Sequence, residues 1–272
     1  VNTWFGEADF LRMTMNDSVH RERVVLGGIT VDLLSDDGLM TAVRDALESG
    51  DRGRTLAIAS ANIDHIHHFA GSGDLHGSTP DVDWLVLLDG VPLVRKASRL
   101  TGRDEAKLSG SDLLPRMVEL AEQAGATLGF LGGTPAMHGR LGLALAERHP
   151  TLKVVGQWTP SREVVNDPVG SSALAGEIRQ AGPEILVVGL GKPRQERWIA
   201  RHGAATGARV VLAFGAAADF LAGTVDRAPD WVVAMGAEWA FRLVREPRRL
   251  ARRYLVQGPP AWWKLRTRSY LP

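Results

Sequence analysis

Apolar and polar residues follow two rhythms along this chain. Short runs rich in Val, Ile and Leu read as strands buried on both faces. Between them, apolar residues recur every three or four positions, as on one face of a helix. The strand-like runs are Val24–Leu34 (a hairpin around Gly27-Gly28), Thr55–Ser60, Trp84–Leu88, Thr127–Leu131, Lys153–Gly156, Ile185–Gly189 and Val210–Phe214. The helical patterns are Asp37–Glu48, Asn62–Ala70, Ser111–Gln123, Pro135–Arg148, Ser171–Gln180 and Pro193–His202. Strand–helix alternation with short links predicts an α/β domain with a largely parallel sheet.

The rhythm changes after about Arg227. Asp230–Arg245 reads as one helix and Pro247–Val256 as a second, with Pro247 breaking the first and opening the next. Gly258-Pro259-Pro260 then reads as the end of helix formation. The chain therefore divides into a lead-in over 1–23, expected to be weakly ordered, an α/β domain over 24–227, and a helical appendage over 228–272. No repeat or low-complexity stretch interrupts it.

Charge sharpens this division. Of 272 residues, 44% are hydrophobic and 23% charged, which fits one sizeable core and neither a disordered nor a fibrous chain. Net charge is only +1. Yet Phe241–Pro272 carries nine Lys or Arg against the single acid Glu246, so the tail is +8 and the preceding residues sum to −7. Such a tail is built to meet phosphates, nucleic acid or a lipid surface. There is no cysteine, hence no disulfide, thiolate metal site or cysteine nucleophile. No apolar run reaches the roughly 18 residues of a membrane span, and the first residues lack a signal-peptide core.

Candidate chemistry lies at the strand ends, because ligands of open parallel sheets bind outside the carboxyl ends of the strands. Asp89 follows Trp84–Leu88 directly and is placed to act as a general base; the ordinary alternative is a turn or capping aspartate. Gly189-Leu190-Gly191-Lys192-Pro193-Arg194-Gln195-Glu196 combines glycines that admit a phosphate with a helix start. It is not a dinucleotide fingerprint, since Arg194 stands where the third glycine belongs. Leu131-Gly132-Gly133-Thr134-Pro135 has the same character, with Thr134 as N-cap; phosphate cradle and plain cap both stay open. Asp64, His65, His67, His68 and His76 invite a metal reading, but no zinc signature is complete. A solvated or core-edge histidine cluster is the better reading. In the tail, arginines interleave with Leu243, Leu250, Tyr254 and Leu255, and Trp262-Trp263-Lys264 follows. That mixture suits an interfacial element on anionic lipid, with a solvated basic face or an RNA-binding tail as alternatives.

Taken in order, several segments resemble the WecG/TagA/CpsF glycosyltransferase family. Ser60-Ala61-Asn62 resembles its Thr-x-Asn strand end, Asp89-Gly90 its Asp-Gly motif, and Ser109-Gly110-Ser111-Asp112-Leu113 its Gly-x-Asp-Leu segment. Gly189 to Glu196 is similar to its Gly-x-Gly-x-Pro-Lys-Gln-Glu motif, and Ala218-Asp219-Phe220-Leu221-Ala222-Gly223 to its Phe-Asp-Phe-x-x-Gly segment. Arg227-Ala228-Pro229, Glu238-Trp239, Arg242-Leu243, Glu246-Pro247-Arg248-Arg249 and Arg252-Arg253-Tyr254 follow its C-terminal signature. The resemblance runs from about Val24 to Leu255. The sequence departs from the pattern at Ser60 (usually Thr), Lys107 (usually Arg), Pro92 (often Gly), Ala218 (Phe) and Trp158 (where Gly-Tyr-Phe is common).

The resemblance implies a Rossmann-like domain with a membrane-contacting C-terminal appendage that completes the site. It implies an inverting, metal-independent transferase without a cofactor. Such an enzyme moves N-acetylmannosamine or a relative from a UDP-sugar to a saccharide on undecaprenyl diphosphate, at the inner face of the cell membrane. Carried over by position, Asp89 would be the base, with Ser60, Asn62 and Gln195 lining the catalytic pocket. Lys107, Asp112, Gly132, Gly133, Thr134, Gly189, Gly191, Pro193, Glu196 and Asp219 would surround the donor. Arg242, Arg249 and Arg252 would close over its diphosphate. Two rivals remain at this point: a nicotinamide or flavin oxidoreductase, weakened by the missing ribose-binding acid after Lys153–Gly156, and a nucleic-acid-binding protein with a basic tail. A homo-oligomer built on apolar surface beside the appendage also stays open.

Overall fold

The computed structural model describes residues 21–49, 54–71, 79, 81–223, 229, 232, 238–245 and 247–272. Most of the lead-in over 1–23 lies outside that set. The hairpin forms as expected, from β1 (Arg23–Leu26) and β2 (Ile29–Asp32). Gly27 and Gly28 turn it, both at positive φ, where a side chain would be strained. Then come α1 (Asp36–Glu48), β3 (Thr55–Ala61), α2 (Ile63–Phe69), β4 (Val82–Leu88), α3 (Val91–Thr101), α4 (Gly110–Ala124) and β5 (Thr127–Gly132). After these follow α5 (Pro135–Arg148), β6 (Lys153–Trp158), α6 (Arg162–Asn166), α7 (Pro168–Ala181), β7 (Ile185–Gly189), α8 (Arg194–His202), β8 (Val210–Leu212) and α9 (Gly215–Leu221).

Six strands make one sheet in the order β4-β3-β8-β7-β5-β6, and every pairing is parallel. Two apolar layers cover it. One holds the hairpin and the inner faces of α2, α3, α7 and α8, through Leu26, Ile66, Leu93, Ile178 and Ile199. The other holds α1, α4, α5 and α9, through Leu39, Met117, Leu141 and Ala217. So β3 hands the chain to a helix on one face, while its neighbour β8 hands it to a helix on the other. That reversal opens a crevice at the carboxyl ends of β3 and β8.

The hairpin also guards the edge of the sheet. Val86 N donates to the Asp32 carboxylate at 2.8 Å. Arg21 donates to the Trp84 carbonyl at 3.3 Å and pairs with Asp83 at 2.6 Å. Backbone groups of β4 that would otherwise template another strand are thereby occupied.

Three helices escaped the reading of the sequence. In α3, α6 and α9 the apolar stripe is short or interrupted by charge, as in Arg95-Lys96 of α3. The end of the chain corrects a further expectation. After α10 (Glu238–Arg245) and α11 (Pro247–Ala251), the Arg252–Gln257 segment is π-helical and runs into α12 (Gly258–Thr267). Gly258-Pro259-Pro260 starts a helix instead of ending one, because prolines in a first turn lack only N–H groups that the turn leaves unbonded anyway. The rest of the expected Asp230–Arg245 helix lies outside the described residues, apart from Val232.

This last helix is packed into the domain. Ala261 and Leu265 are buried against α2 and the hairpin. Val25 and Tyr270 exchange backbone hydrogen bonds at 2.9 and 3.0 Å, and Gly28 N donates to Arg268 O at 2.9 Å. Replacing Leu265 with Ala should cost about 2–5 kcal/mol, as cavity-forming leucine truncations do. A lowered denaturation midpoint in a urea titration is the expected result; an unchanged midpoint would show that α12 is not part of the core.

Candidate active site

Strand β3 ends at Ala61, and Asn62 caps the helix that follows. Its Oδ1 accepts from Asp64 N at 3.2 Å, the usual service of a capping asparagine. The same side chain turns its Nδ2 to the end of the adjacent strand, where it donates to Asp89 Oδ2 at 3.4 Å. Asp89 N donates to Ala61 O at 2.9 Å, which carries the β3–β4 ladder one residue past the strand. Asp89 is half-buried, and among the described residues its Oδ1 carries no hydrogen bond. A carboxylate fixed by one oxygen and open at the other suits proton abstraction.

Next to it, Ser60 Oγ accepts from Gly110 N at 3.2 Å, at the start of α4. Gly110 has no room for a side chain, since a Cβ would lie 2.7 Å from the Phe214 ring. Ser109 caps α4, accepting from Asp112 N at 3.3 Å and donating to the Asp112 carboxylate at 2.6 Å. Lys107 Nζ stands 3.9 Å from the same carboxylate.

On the other side of the crevice, three glycines crowd together. Gly132 pairs with Gly189 across β5 and β7, and Gly215 lies on Gly189. A Cβ on Gly132 would strike the Gly189 carbonyl, and one on Gly215 would strike the Gly189 Cα. Thr134 caps α5 by accepting from Met137 N at 3.2 Å. The starts of α4, α5, α8 and α9 thus gather at this end of the sheet, with their unbonded N–H groups and positive dipole ends.

The loop after β7 crosses to the Asn62 side. Lys192 Nζ lies 3.2 Å from Ser60 O, 3.5 Å from Asn62 Oδ1 and 2.6 Å from His65 Nδ1. With the ammonium donating to Nδ1, the imidazole proton sits on Nε2, which faces Glu196 Oε1 at 3.5 Å. Gln195 and Glu196 are buried in the first turn of α8. Gln195 Nε2 donates to Ala213 O at 2.9 Å and to Glu196 Oε1 at 3.1 Å. Burial pushes the Glu196 carboxyl up, opposed first by the Lys192 ammonium. Burial also drives Lys192 down to about 8, against the pull of Glu196, Asp64 and Asp89. Asp64 completes the group, 3.4 Å from Arg253 Nε of the π-helical segment.

The crevice therefore brings together Ser60, Asn62, Asp89, Gly189, Gln195 and Glu196, with Gly132 beside Gly189. Gly191 and Pro193 flank Lys192 in the crossing loop. Gly133 and Thr134 sit one turn along, Lys107 and Asp112 pair with each other beyond Ser60, and Asp219 lies a turn into α9. Arg252 is exposed, and the side chains of Arg242 and Arg249 lie outside the described residues. The metal reading finds no support in the geometry. Among the described residues no three His, Asp or Glu are grouped to hold an ion, and His65 is buried between Lys192 and Glu196. His76 lies outside the described set.

Reasoning from sequence placed Lys192 only in the Gly189–Glu196 turn, His65 only in the histidine cluster and Arg253 only in the basic tail, and did not bring them together. The i, i+3 spacing of His65 and His68 marks one helix face, yet nothing in the sequence says that Lys192 meets it across the sheet.

Comparison with known proteins fits this geometry. The model of the glycosyl transferase WecG/TagA/CpsF family matches residues 24–271, and the chain belongs to that family. One relative, the N-acetylglucosaminyldiphosphoundecaprenol N-acetyl-beta-D-mannosaminyltransferase of Bacillus subtilis (strain 168), is 25% identical over 167 residues. The match covers 61% of this chain and 63% of that protein, so it spans less than two thirds of the relative's length.

Gly215→Ala tests the crowding directly. Its methyl would press on Gly189 Cα and lie 3.1 Å from Gln195 Oε1. We expect a loss of about 1–3 kcal/mol, as for other overpacked sites, read as a lower melting temperature. An unshifted melt would mean that the three glycines do not touch.

Proposed function

We propose that the chain is an inverting glycosyltransferase that moves a sugar, N-acetylmannosamine or a related hexose, from UDP to a saccharide carried on polyprenyl diphosphate. The observation that carries this reading is Asp89. Its carboxylate sits at the crevice of a parallel sheet, held through one oxygen by Asn62 and open at the other. The name of the Bacillus subtilis relative supports both the sugar and the lipid-linked acceptor.

The parts assign the steps. The acceptor hydroxyl gives its proton to Asp89 as its oxygen attacks the anomeric carbon. The bond from that carbon to the UDP oxygen breaks on the opposite face, so the configuration inverts. UDP departs with the bonding electrons and gains negative charge. Helix starts at Gly132–Thr134 and Gly189–Gln195 offer N–H groups to that charge, and arginines of the C-terminal helices add to them. The reading uses neither a metal nor a cofactor.

The acceptor's lipid needs a surface, and the C-terminal helices provide one. Trp262 and Trp263 are 48% and 62% exposed, Leu255 and Val256 each 63%. Tyr254, Gly258, Pro259, Trp262, Trp263 and Arg266 line an open groove of about 450 Å³. Exposed aromatic rings beside Arg266 match the headgroup level of an anionic membrane. No described helix is long and apolar enough to cross a membrane.

Two experiments test the proposal. UDP-N-acetylmannosamine and a lipid-linked N-acetylglucosamine acceptor should yield product, with and without a chelator. Asp89→Asn should lower turnover about 10²–10⁴-fold at an unchanged melting temperature. Wild-type turnover in Asp89→Asn would remove the base. Separately, replacing both Trp262 and Trp263 with Ser should weaken sedimentation with phosphatidylglycerol vesicles roughly tenfold, since binding scales with inserted apolar area. Equal sedimentation would place the membrane contact elsewhere.

A further inference from the structure

We infer that Lys192, together with His65, is a positioning residue for the base, acting through the Asn62 amide. The inference rests on the transferase reading above and deepens it.

The argument starts from hydrogen-bond capacity. An ammonium has three N–H donors. In Lys192 they face Ser60 O, Asn62 Oδ1 and His65 Nδ1, so none remains for a substrate. The lysine holds the site without touching the reactants.

What it holds is the orientation of Asn62. An asparagine amide can flip, exchanging its oxygen for its nitrogen. Here Oδ1 faces two donors, Asp64 N at 3.2 Å and Lys192 Nζ at 3.5 Å. A flipped amide would set its NH₂ against both. The ammonium therefore fixes Nδ2 on the other side, toward Asp89 Oδ2. Remove the lysine head group, and only one backbone N–H still chooses the orientation. Flipped, Asn62 would turn its oxygen to the Asp89 carboxylate and repel it.

His65 and Glu196 keep the lysine in place. His65 is wholly buried and accepts from Lys192 through Nδ1, while its Nε2 faces Glu196. Glu196 also holds Gln195. One chain of contacts thus runs from the buried Gln195, Glu196 and His65 through the half-buried Lys192 and Asn62 to Asp89.

The charged groups around the ammonium come from four elements. They are Glu196 on α8, Asp64 and His65 on α2, Asp89 at the end of β4, and Arg253 from the π-helical segment. Burial outweighs the three acids, and the lysine titrates near 8. Below that pH the ammonium is present and Asn62 is held. Above it the neutral amine has two N–H donors for three acceptors, the hold on Asn62 loosens, and turnover should fall. Stability moves the opposite way through this group. The unfolded chain binds more protons than the folded one between about 8 and 10.4, so this lysine adds stability as pH rises there. An alkaline loss of activity in that window is therefore not unfolding driven by this group.

The test combines a pH profile with a double-mutant cycle, using UDP-N-acetylmannosamine and the lipid-linked acceptor. Wild type should lose kcat above about pH 8 with little change in KM. Lys192→Met should lower kcat roughly 10- to 100-fold, as small misplacements of catalytic groups do, and lose the alkaline limb. Lys192→Met combined with Asn62→Ala should be no slower than Asn62→Ala alone, because both remove the same restraint. Independently of activity, NMR of ¹³C-labelled lysine should show one of the five lysines titrating near 8 in the wild-type protein, and that signal should vanish in Lys192→Met. Undiminished kcat in Lys192→Met, additive losses in the double variant, or no lysine titrating below 10 would each overturn the positioning role. A wild-type protein that transfers no sugar while one lysine still titrates near 8 would instead overturn the transferase reading.

Discussion

A parallel sheet covered on both faces has few places where a ligand can reach its backbone. Here the opening lies between β3 and β8, whose following helices leave to opposite sides. Asn62, Asp89, Lys192 and the crowded glycines gather there. Asn62 and Asp89 come from β3 and β4, the crossing loop from β7, and Gly215 from the end of β8. The crowding of Gly132, Gly189 and Gly215 is the steric side of the same constraint. Backbones can approach that closely only where no side chain intervenes.

The electrostatic side is less usual. Lys192, His65, Glu196, Asp64 and Arg253 lie together, His65 and Glu196 fully buried. Burying charges is costly unless they are paired and hydrogen-bonded. In this cluster Arg253 faces Asp64, and Glu196, Asp64 and Asp89 attract the Lys192 ammonium. Such a network contributes geometry more than stability. It holds short side chains in one arrangement next to a carboxylate that needs a defined direction. The C-terminal helices join the same network through Arg253, and α12 packs on α2, the helix that Asn62 caps. The tail is therefore tied to the residues of the crevice by packing as well as by charge.

Much of this was legible before any coordinates. The parallel α/β class followed from the runs at Thr55, Thr127, Ile185 and Val210, and the boundaries of β7 and α5 match the residues read from the sequence. Asp89 and the Gly189–Glu196 turn stood out as strand ends that carry an acid or glycines, and Asn62 through the resemblance to the family's Thr-x-Asn strand end. What stayed hidden depended on contact across the sheet. Lys192 and His65 are 127 positions apart, and no local periodicity announces their meeting. The two prolines after Gly258 misled for a physical reason: proline marks a boundary but does not say which side the helix is on. The roles of Arg242, Arg249 and Arg252 rest on the family pattern, since only the exposed Arg252 has a described side chain.

The most direct test of the central claim is a structure of the chain with UDP-N-acetylmannosamine bound. The account predicts the diphosphate against the Gly132–Thr134 and Gly189–Gln195 turns, with the anomeric carbon between it and the free oxygen of Asp89. A donor bound with its sugar turned away from Asp89, or seated outside the β3–β8 crevice, would contradict it.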